Sequence, residues 1–317
     1  MEEESLPPAL LLTGPTAAGK TGVALALARR FPVALISVDS AQVYRGLDIG
    51  SAKPDAATQA RFPHALIDIR EPEQTYSAAD FVADAAAQMR AAAGAGQLPV
   101  LVGGTTLYLR ALLYGLDPMP AANSGLRRDI AAEADRRGWQ ALYDELTVAD
   151  PRAAERIRPN DTQRIQRGIE VLRLTGRGPS AFHRENRIAR FDSLRLVLTA
   201  GNRRELHERI ARRFDAMLAE GLVEEVANLR RRPELSVDHP AMRSVGYRQV
   251  WQHLDGLFSL DQARQRALAA TRQLAKRQLT SLRQLGRALW HDPRQQRTIN
   301  LIFRQVGQFE KRAARAG

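Results

Sequence analysis

Cysteine is absent from the 317 residues of this chain. A protein without cysteine forms no disulfide, binds no iron–sulfur cluster or cysteine-ligated zinc, and has no thiol nucleophile. The six histidines are scattered, and no two of them lie four residues apart, the spacing that suggests a metal site on a helix. No apolar run approaches the roughly 20 residues needed to span a bilayer. These absences exclude disulfide-stapled, thiol-dependent and membrane-spanning classes of protein.

The amino terminus is acidic over residues 2–4 and has prolines at residues 7 and 8. It therefore has neither the basic start nor the apolar centre of a secretory signal. We expect a soluble, cytoplasmic protein.

Basic residues outnumber acidic ones, with 47 Lys and Arg against 35 Asp and Glu and a net charge of +12. Such an excess favours a polyanionic partner, nucleic acid first and an anionic membrane surface second. A coding bias toward arginine and alanine is the alternative explanation. Hydrophobic residues make up 44% of the chain, enough for a packed core in one large or two modest domains.

Strand and helix patterns alternate over the first 113 residues. Short apolar runs predict strands at residues 9–12, 33–38, 65–69 and 98–102. Helices are predicted between them at residues 20–30, 77–93 and 105–113, the second with Ser77 as its N-cap and Asp80 three residues on. This alternation predicts an α/β fold with a parallel sheet and helices on its faces.

The pattern changes near residue 119, after which the chain is helical and rich in arginine. One more strand is predicted at residues 195–199, followed by a region that is almost all helix to residue 289. We therefore expect a P-loop NTPase-like α/β core built from residues 1–119 and 190–317, with a helical C-terminal region. A helical insertion domain would occupy residues 120–189. The segment after Trp290 is basic and weakly patterned, and it is given no role.

The first strand is followed by a G-x₄-G-K-[ST] motif that opens a helix, which is the context that a phosphate-binding loop requires. Its backbone N–H groups and helix N-terminus would face phosphate oxygens, with a lysine charge and a hydroxyl for Mg²⁺. A glycine-rich turn that only caps a helix is the alternative. The motif does not show whether the bound phosphates belong to ATP, to GTP or to the diphosphate of another substrate. The predicted loop consists of Gly14, Pro15, Thr16, Ala17, Ala18, Gly19, Lys20 and Thr21.

Asp39 lies at the carboxyl end of the second strand, where open α/β sheets bind ligands. It could hold magnesium or accept a proton, and the structural alternative is an N-cap. Gln42 could pair with an adenine edge. The glycine-rich turn at residues 103–104 would line the same crevice, and it lacks the apolar strand followed by Asp that is typical of ATP-hydrolysing P-loop proteins.

Motifs in order along most of the chain resemble those of the tRNA dimethylallyltransferases, also called tRNA isopentenyltransferases. The matching blocks are residues 14–21, 37–54, 102–108, 159–167, 243–248 and 271–278. The resemblance implies a fold like that of P-loop kinases and a different reaction. That reaction is transfer of a dimethylallyl group from dimethylallyl diphosphate, with Mg²⁺, to N6 of the adenosine just 3′ of the tRNA anticodon.

Roles for individual residues follow from the resemblance together with the chemistry. The loop, Lys20, a magnesium ion on Thr21, and Arg213 would stabilise the departing diphosphate. A solvated helix arginine is the alternative for Arg213. Asp39 would act as general base toward the adenine amine, and Gln42 would hold the adenine after it leaves the stack. Thr16 would line the donor side.

An RNA-binding surface is predicted near the carboxyl terminus. Residues 262–291 contain seven basic residues and no acidic one, with basic residues recurring at intervals of four and seven. Such a stripe suits a phosphate backbone, whereas an ordinary solvated face mixes both signs of charge. Tyr247 could either stack on a base or belong to the core. The full set expected to contact tRNA is Asp39, Ser40, Ala41, Gln42, Thr105, Arg127, Gln163, Arg164, Ile165, Gln166, Arg167, Arg243, Ser244, Val245, Gly246, Tyr247, Arg248, Arg272, Lys276 and Arg283.

Two other functions fit parts of this pattern. A small-molecule kinase would use the same loop with ATP, but it does not explain the basic carboxyl-terminal helix. A non-catalytic RNA-binding protein would keep the loop without using it. The expected partners are the tRNA anticodon stem-loop and dimethylallyl diphosphate, with no membrane, and the protein is expected to act as a monomer.

Overall fold

The computed structural model describes residues 6–183, 188–199 and 201–315. Within this part of the chain, six strands form one parallel sheet in the order β3-β2-β4-β1-β5-β6. This arrangement confirms the predicted α/β fold with a parallel sheet. The strands are β1 (Ala9–Thr13), β2 (Val33–Val38), β3 (His64–Ala65), β4 (Leu98–Gly103), β5 (Ser193–Leu198) and β6 (Leu289–His291).

The register brings the carboxyl ends of the central strands to one edge of the sheet. Thr13 at the end of β1 lies beside Gly103 of β4, which also lies beside Val38 of β2. The segments that follow these three strands therefore start next to one another. This edge is where parallel sheets with helical crossovers place their ligands.

Helices cover the sheet, and one of them lies in the segment that was given no role. In the first compact unit, residues 1–113 and 189–317, the helices are α1 (Lys20–Ala28), α2 (Ala56–Arg61), α3 (Ala78–Gly94), α4 (Thr106–Tyr114), α9 (Arg203–Ala219), α10 (Leu222–Arg230), α11 (Tyr247–Leu254), α12 (Leu260–Leu282) and α13 (Gln296–Ala313). Ile302, Val306 and Phe309 of α13 are buried in the same cluster as Leu10 of β1 and Leu27 of α1. The last helix thus belongs to the core of the sheet.

Several predicted boundaries are wrong. The third strand is only two residues long, because Leu66 and Asp68 have positive φ angles of 65° and 55° that an extended strand does not allow. The region expected to be almost all helix to residue 289 has its last helix before that point, α12, end at Leu282 with Arg283 as its C-cap. Strand β6 and helix α13 follow where no element was expected.

The second compact unit, residues 114–188, contains helices and no strand in its described part. Its helices are α5 (Ser124–Arg137), α6 (Trp139–Ala149), α7 (Pro151–Ala154) and α8 (Thr162–Thr175). They bury a separate core that includes Ile130, Leu142 and Ile169. The sequence predicts this unit at residues 120–189, of which residues 184–187 lie outside the described residues.

Candidate active site

The loop between β1 and α1 has the backbone that its glycines were expected to allow. Gly14 has a φ of 150°, and a Cβ atom there would lie 2.3 Å from the carbonyl oxygen of Leu198. Gly19 is the N-cap of α1 with a left-handed φ of 89°. Ala17 also has a positive φ, 62°, which is uncommon for a residue with a side chain. The loop is therefore tightly curled at the start of the helix.

Lys20 is folded back over this loop. Its Nζ atom donates hydrogen bonds to the carbonyl oxygens of Gly14 and Pro15, at 3.0 Å and 2.9 Å. Burial lowers the pKa of Lys20 to about 8, while the negative charge of Asp39 raises this pKa and the positive charge of Arg213 lowers it. Asp39 and Arg213 thus lie near enough for their charges to act on Lys20.

Arg213 reaches the loop from α9. Its Nη1 atom lies 3.3 Å from the hydroxyl oxygen of Thr16 and donates to it. Burial lowers the pKa of the Arg213 guanidinium, and the nearby charge of Asp39 partly offsets that effect. Its neighbour Arg212 is exposed. The structure therefore brings Arg213 to the loop and does not leave it as a solvated helix arginine.

Asp39 follows β2 and holds its own loop in shape. Its Oδ1 atom accepts hydrogen bonds from the backbone N–H groups of Ala41 and Gln42, at 2.9 Å and 3.3 Å. Its other oxygen, Oδ2, has no hydrogen-bond partner in residues 6–183, 188–199 or 201–315. One carboxylate oxygen is thus oriented by the backbone, while the other is available to a substrate.

The turn after β4 lies against the Asp39 loop. A Cβ atom on Gly103 would lie 2.0 Å from the carbonyl oxygen of Val38, so only glycine fits there. The backbone N–H of Ser40 donates to the Thr105 hydroxyl at 3.1 Å. The predicted residues Lys20, Arg213, Asp39 and Thr105 are therefore gathered at the carboxyl edge of the sheet.

Gln42 is engaged within the protein. Its Oε1 atom accepts a hydrogen bond from the Ser37 hydroxyl at 3.1 Å, and its Nε2 atom donates to the carbonyl oxygens of Ser51 and Ala52, at 3.3 Å and 3.2 Å. In this conformation the Gln42 amide supports the loop beneath the site, so contact between this amide and an adenine stays a prediction.

Tyr247 is a core residue. Its side chain is fully buried, and its hydroxyl donates to Oε1 of Glu225 at 2.6 Å and accepts from the Ser51 N–H at 3.2 Å. The possibility that its ring stacks on an RNA base is therefore wrong. Glu225 also accepts from the backbone N–H groups of residues 48–50, and no sequence motif identified this support.

The other residues of this predicted block differ in exposure. Arg243 and Arg248 are exposed, whereas Ser244 and Val245 are partly buried. Gly246 is buried with a φ of 98° and precedes α11. Only the two arginines offer full side chains to a partner.

In the helical unit, several predicted RNA contacts belong to an internal network. Arg127 donates through Nε and Nη2 to the buried carboxylate of Glu170, both at 3.0 Å, and Arg167 also pairs with it. Gln166 donates to the carbonyl oxygen of Arg127 at 3.0 Å. Arg127 and Arg167 remain partly exposed, so their contact with RNA stays a prediction.

Two of the predicted residues of α8 are exposed and one is not. Gln163 and Arg164 are exposed, and Arg164 also pairs with Asp161 at 3.4 Å. Ile165 is fully buried in the core of the helical unit, so the prediction that its side chain contacts tRNA is wrong.

Helix α12 carries the basic residues on its exposed surface. Arg272, Lys276 and Arg277 are exposed, and neither Arg272 nor Lys276 pairs with a carboxylate in the described part of the chain. Arg272 also lies near His207 of α9, whose pKa is lowered by burial and then by the charges of Arg272 and Arg203. Arg283 is also exposed, but it is the C-cap of α12. The row of basic residues along this helix therefore ends at Arg283.

One side chain of α12 reaches the loop at residues 14–21, and the sequence predicts no role for it. Gln278 is almost fully buried and accepts a hydrogen bond from the Thr16 backbone N–H at 3.0 Å. Its Nε2 atom donates to the carbonyl oxygen of Gly104 at 2.9 Å. The charge pattern of the surrounding residues, which are basic or neutral, does not indicate this contact.

Two other features are absent from the described residues. No helix there is long and apolar enough to cross a bilayer. No group of three His, Asp or Glu side chains there converges in a way that could hold a metal ion.

The structure is that of an α/β protein with a parallel sheet, in which the cations Lys20 and Arg213 and the carboxylate of Asp39 lie near a curled loop at the carboxyl edge. The IPP transferase family profile matches residues 42–285. The chain therefore belongs to the IPP transferase family.

Curated relatives agree with this assignment. The tRNA dimethylallyltransferase of Alkalilimnicola ehrlichii is 54% identical over 98% of both chains. That of Thiobacillus denitrificans is 56% identical over 89% of this chain and 91% of its own. Among solved structures, the tRNA isopentenylpyrophosphate transferase of Bacillus halodurans is 34% identical with a TM-score of 0.70, covering 98% of each chain.

Proposed function

We propose that this protein transfers a dimethylallyl group from dimethylallyl diphosphate to N6 of an adenosine in tRNA, at position 37 just 3′ of the anticodon, and releases diphosphate. The relatives named tRNA dimethylallyltransferase match the chain over nearly its whole length. The observation that carries the proposal is the placement of Lys20 and Arg213 on a phosphate-type loop with the Asp39 carboxylate nearby.

The loop would hold the leaving group. Transfer breaks the bond between the allylic carbon and the diphosphate oxygen, and the electron pair stays on that oxygen. The backbone N–H groups of the loop and the cations Lys20 and Arg213 would stabilise this growing charge, which is larger in the transition state than in the bound donor. Because Lys20 and Arg213 are partly buried, water weakens their attraction for the diphosphate less than at an open surface.

Asp39 would accept the proton. The lone pair of the adenine amine is delocalised into the ring, so N6 becomes a competent nucleophile only as it loses a proton. As the N6–carbon bond forms, Oδ2 of Asp39 would take that proton, while Oδ1 stays held by the backbone N–H groups of Ala41 and Gln42. Thr105 and Ser40 would border the adenine at the same edge.

Magnesium fits this site through one protein ligand. Thr21 is exposed in the first turn of α1, so its hydroxyl is accessible to a hydrated cation. Mg²⁺ commonly keeps several waters and binds through one or two protein oxygens together with substrate phosphates. Thr21 would hold the ion against the diphosphate, and the ion would supply positive charge to the leaving group.

The exposed basic residues of α12 would bind the tRNA backbone. Arg272 and Lys276 have no carboxylate partner in the described chain, which leaves their charge for phosphates. The exposed Arg243 and Arg248 of the same unit would also contact the anticodon stem-loop, and in the helical unit the exposed Gln163 and Arg164 would do so. We expect the reaction to take place in the cytoplasm and the protein to be a monomer.

Incubation with unmodified tRNA, dimethylallyl diphosphate and Mg²⁺ tests the proposal. Nucleoside mass analysis should show adenosine heavier by one C₅H₈ unit, together with released diphosphate. A kinase would instead form ADP from ATP, and a non-catalytic RNA-binding protein would retain tRNA without changing it. Either of these results, with no prenylated nucleoside, contradicts the proposal.

A further inference from the structure

Gln278 joins two parts of the active site through a single side chain. Its Oε1 atom accepts from the Thr16 backbone N–H at 3.0 Å, and its Nε2 atom donates to the Gly104 carbonyl oxygen at 2.9 Å. Both ends of the amide are therefore occupied. Because the side chain is almost fully buried, loss of either bond would leave a polar group without a partner or water.

The two bonded segments serve different substrates in the proposed reaction. Thr16 belongs to the phosphate loop and also receives the Arg213 hydrogen bond. Gly104 precedes Thr105, whose hydroxyl meets the Ser40 N–H beside Asp39. The amide of Gln278 thus spans the distance between the part that would hold the diphosphate and the part that would hold the adenine.

The fit around this amide is close. A Cβ atom on Gly104 would lie 2.5 Å from Nε2 of Gln278 and 3.3 Å from the carbonyl oxygen of Gly14. Glycine at 104 therefore lets the turn approach both the amide and the loop. Neither contact would form if the turn and the loop moved apart.

We propose that Gln278 is a positioning residue that sets the spacing between the phosphate loop and the turn that carries Thr105, and so aligns the donor with the adenine. The inference rests on the function proposed above. Gln278 is part of α12, the helix that bears Arg272 and Lys276, so the element that would bind tRNA is also the element that bridges the two halves of the site. Both hydrogen bonds of Gln278 are to protein atoms and not to a substrate. Gln278 would therefore affect the reaction through the alignment of the donor and the adenine.

The first test is the variant Gln278→Met, which keeps an unbranched side chain and removes both hydrogen bonds. The turnover number should fall by about tenfold to 100-fold, because small displacements of reacting groups cost rates of this order. The affinity for inorganic pyrophosphate, measured by calorimetry, should change by less than about fivefold, since one neutral hydrogen bond to the loop is lost. The control is Gln265→Leu, an exposed position 13 residues earlier in α12, which should leave both values unchanged.

Three further single variants and one double variant make the test decisive. Gln278→Asn stays polar but is one methylene shorter, so it cannot span both partners and should also lower turnover. Gly104→Ala should lower turnover because its methyl group meets Nε2, and Gln278→Ala should relieve that clash. The combined loss in the double variant should be smaller than the product of the two single losses.

The outcomes separate this inference from the proposed function. If the unaltered protein forms no prenylated nucleoside, the proposed function fails. If it forms product and Gln278→Met retains turnover within about twofold of the parent, or if the double variant shows the full product of both losses, this inference alone fails. A parallel loss of pyrophosphate affinity, turnover and melting temperature would also overturn it, because that pattern indicates a general loosening of the fold.

Discussion

At the scale of single residues, Asp39 lies close to two cations while one of its oxygens remains without a partner in the described chain. Lys20 and Arg213 attract both a diphosphate and the Asp39 carboxylate. The negative charge of Asp39 therefore opposes the binding of an anion and yet supplies the base. Removal of the Asp39 charge should therefore change diphosphate affinity and the turnover number in different ways.

Asp39→Asn should lower the turnover number by about 100-fold or more, the range typical of a lost general base. The amide keeps an oxygen for the N–H groups of Ala41 and Gln42, so the loop should retain its shape. Pyrophosphate affinity should stay the same or increase, because a negative charge near the site has been removed. Single-turnover kinetics and calorimetry measure the two effects.

The matched control is Asp238→Asn, which removes the same charge from an exposed turn. It should alter neither quantity. Turnover in Asp39→Asn equal to that of the parent would exclude Asp39 as the base.

Lys20 predicts a pH dependence of anion binding. Its pKa is lowered to about 8 by burial, so its positive charge is present below that pH and is lost as the pH rises through it. Pyrophosphate affinity should therefore weaken above about pH 8, by up to about tenfold per pH unit for a single proton. Calorimetry between pH 7 and pH 10 measures this dependence.

Lys20→Met provides the reference for that measurement. It should bind pyrophosphate more weakly at pH 7, and it should lack the part of the pH dependence due to Lys20. The ionisation of pyrophosphate itself is common to both proteins and cancels in their ratio. A ratio that stays constant with pH would contradict the role of the Lys20 charge.

Residues whose role depends on local spacing could be predicted from the sequence. The loop at residues 14–21 and Asp39 were found because a strand, a turn and a helix follow one another within a short segment. The roles of Tyr247 and Gln278 could not be found this way. Their partners, Glu225 and Thr16, are distant in sequence and meet them only through tertiary packing.

At the scale of elements, α12 presents exposed cations beside the phosphate loop that its own Gln278 contacts. The double variant Arg272→Gln/Lys276→Gln should weaken tRNA binding without a change in pyrophosphate affinity. Each lost phosphate contact should also reduce the slope of log affinity against log salt concentration by about one. Binding titrations at several salt concentrations measure both effects.

Lys311→Gln on α13 controls for the loss of one positive charge at an exposed position. It should leave the salt dependence unchanged. An unchanged salt slope in the double variant would show that Arg272 and Lys276 do not contact the RNA backbone.

Helix α13 should contribute to stability. Ile302 is fully buried against the sheet, so Ile302→Ala should lower the free energy of unfolding by about 2–5 kcal/mol. Leu301→Ala, at an adjacent position that is 38% exposed, should cost about 1 kcal/mol or less. Urea denaturation measures both, and equal losses would show that α13 does not complete the core.

Elements with a long apolar pattern could be predicted, whereas short ones could not. The strands at residues 33–38 and 98–103 are mostly apolar, and the sequence predicts them at residues 33–38 and 98–102. Strands β3 and β6 have two and three residues, too few for a pattern to emerge. Helix α13 does have apolar residues at helical spacing, at positions 299, 302, 306 and 309. Its many basic residues make this pattern weak, and no helix is predicted there from the sequence.

At the scale of the whole molecule, the fold brings the loop at residues 14–21, the Asp39 carboxylate and a basic helix to one unit, while a second unit has its own helical core. The net charge of +12 matches a nucleic-acid substrate. The alternation of strands and helices predicts a parallel sheet, but it does not give the strand order β3-β2-β4-β1-β5-β6. The division into two units was expected from the loss of strand patterns, whereas the internal network around Glu170 gave no sequence signal.

The central claim is that the loop at residues 14–21 holds the departing diphosphate while Asp39 faces the adenine amine. A crystal structure of the complex with tRNA and a non-reactive donor analogue tests it most directly. We expect the phosphates within hydrogen-bond distance of the loop N–H groups and Lys20, and adenine N6 about 2.6–3.2 Å from Oδ2 of Asp39. Phosphates bound outside this loop would contradict the account.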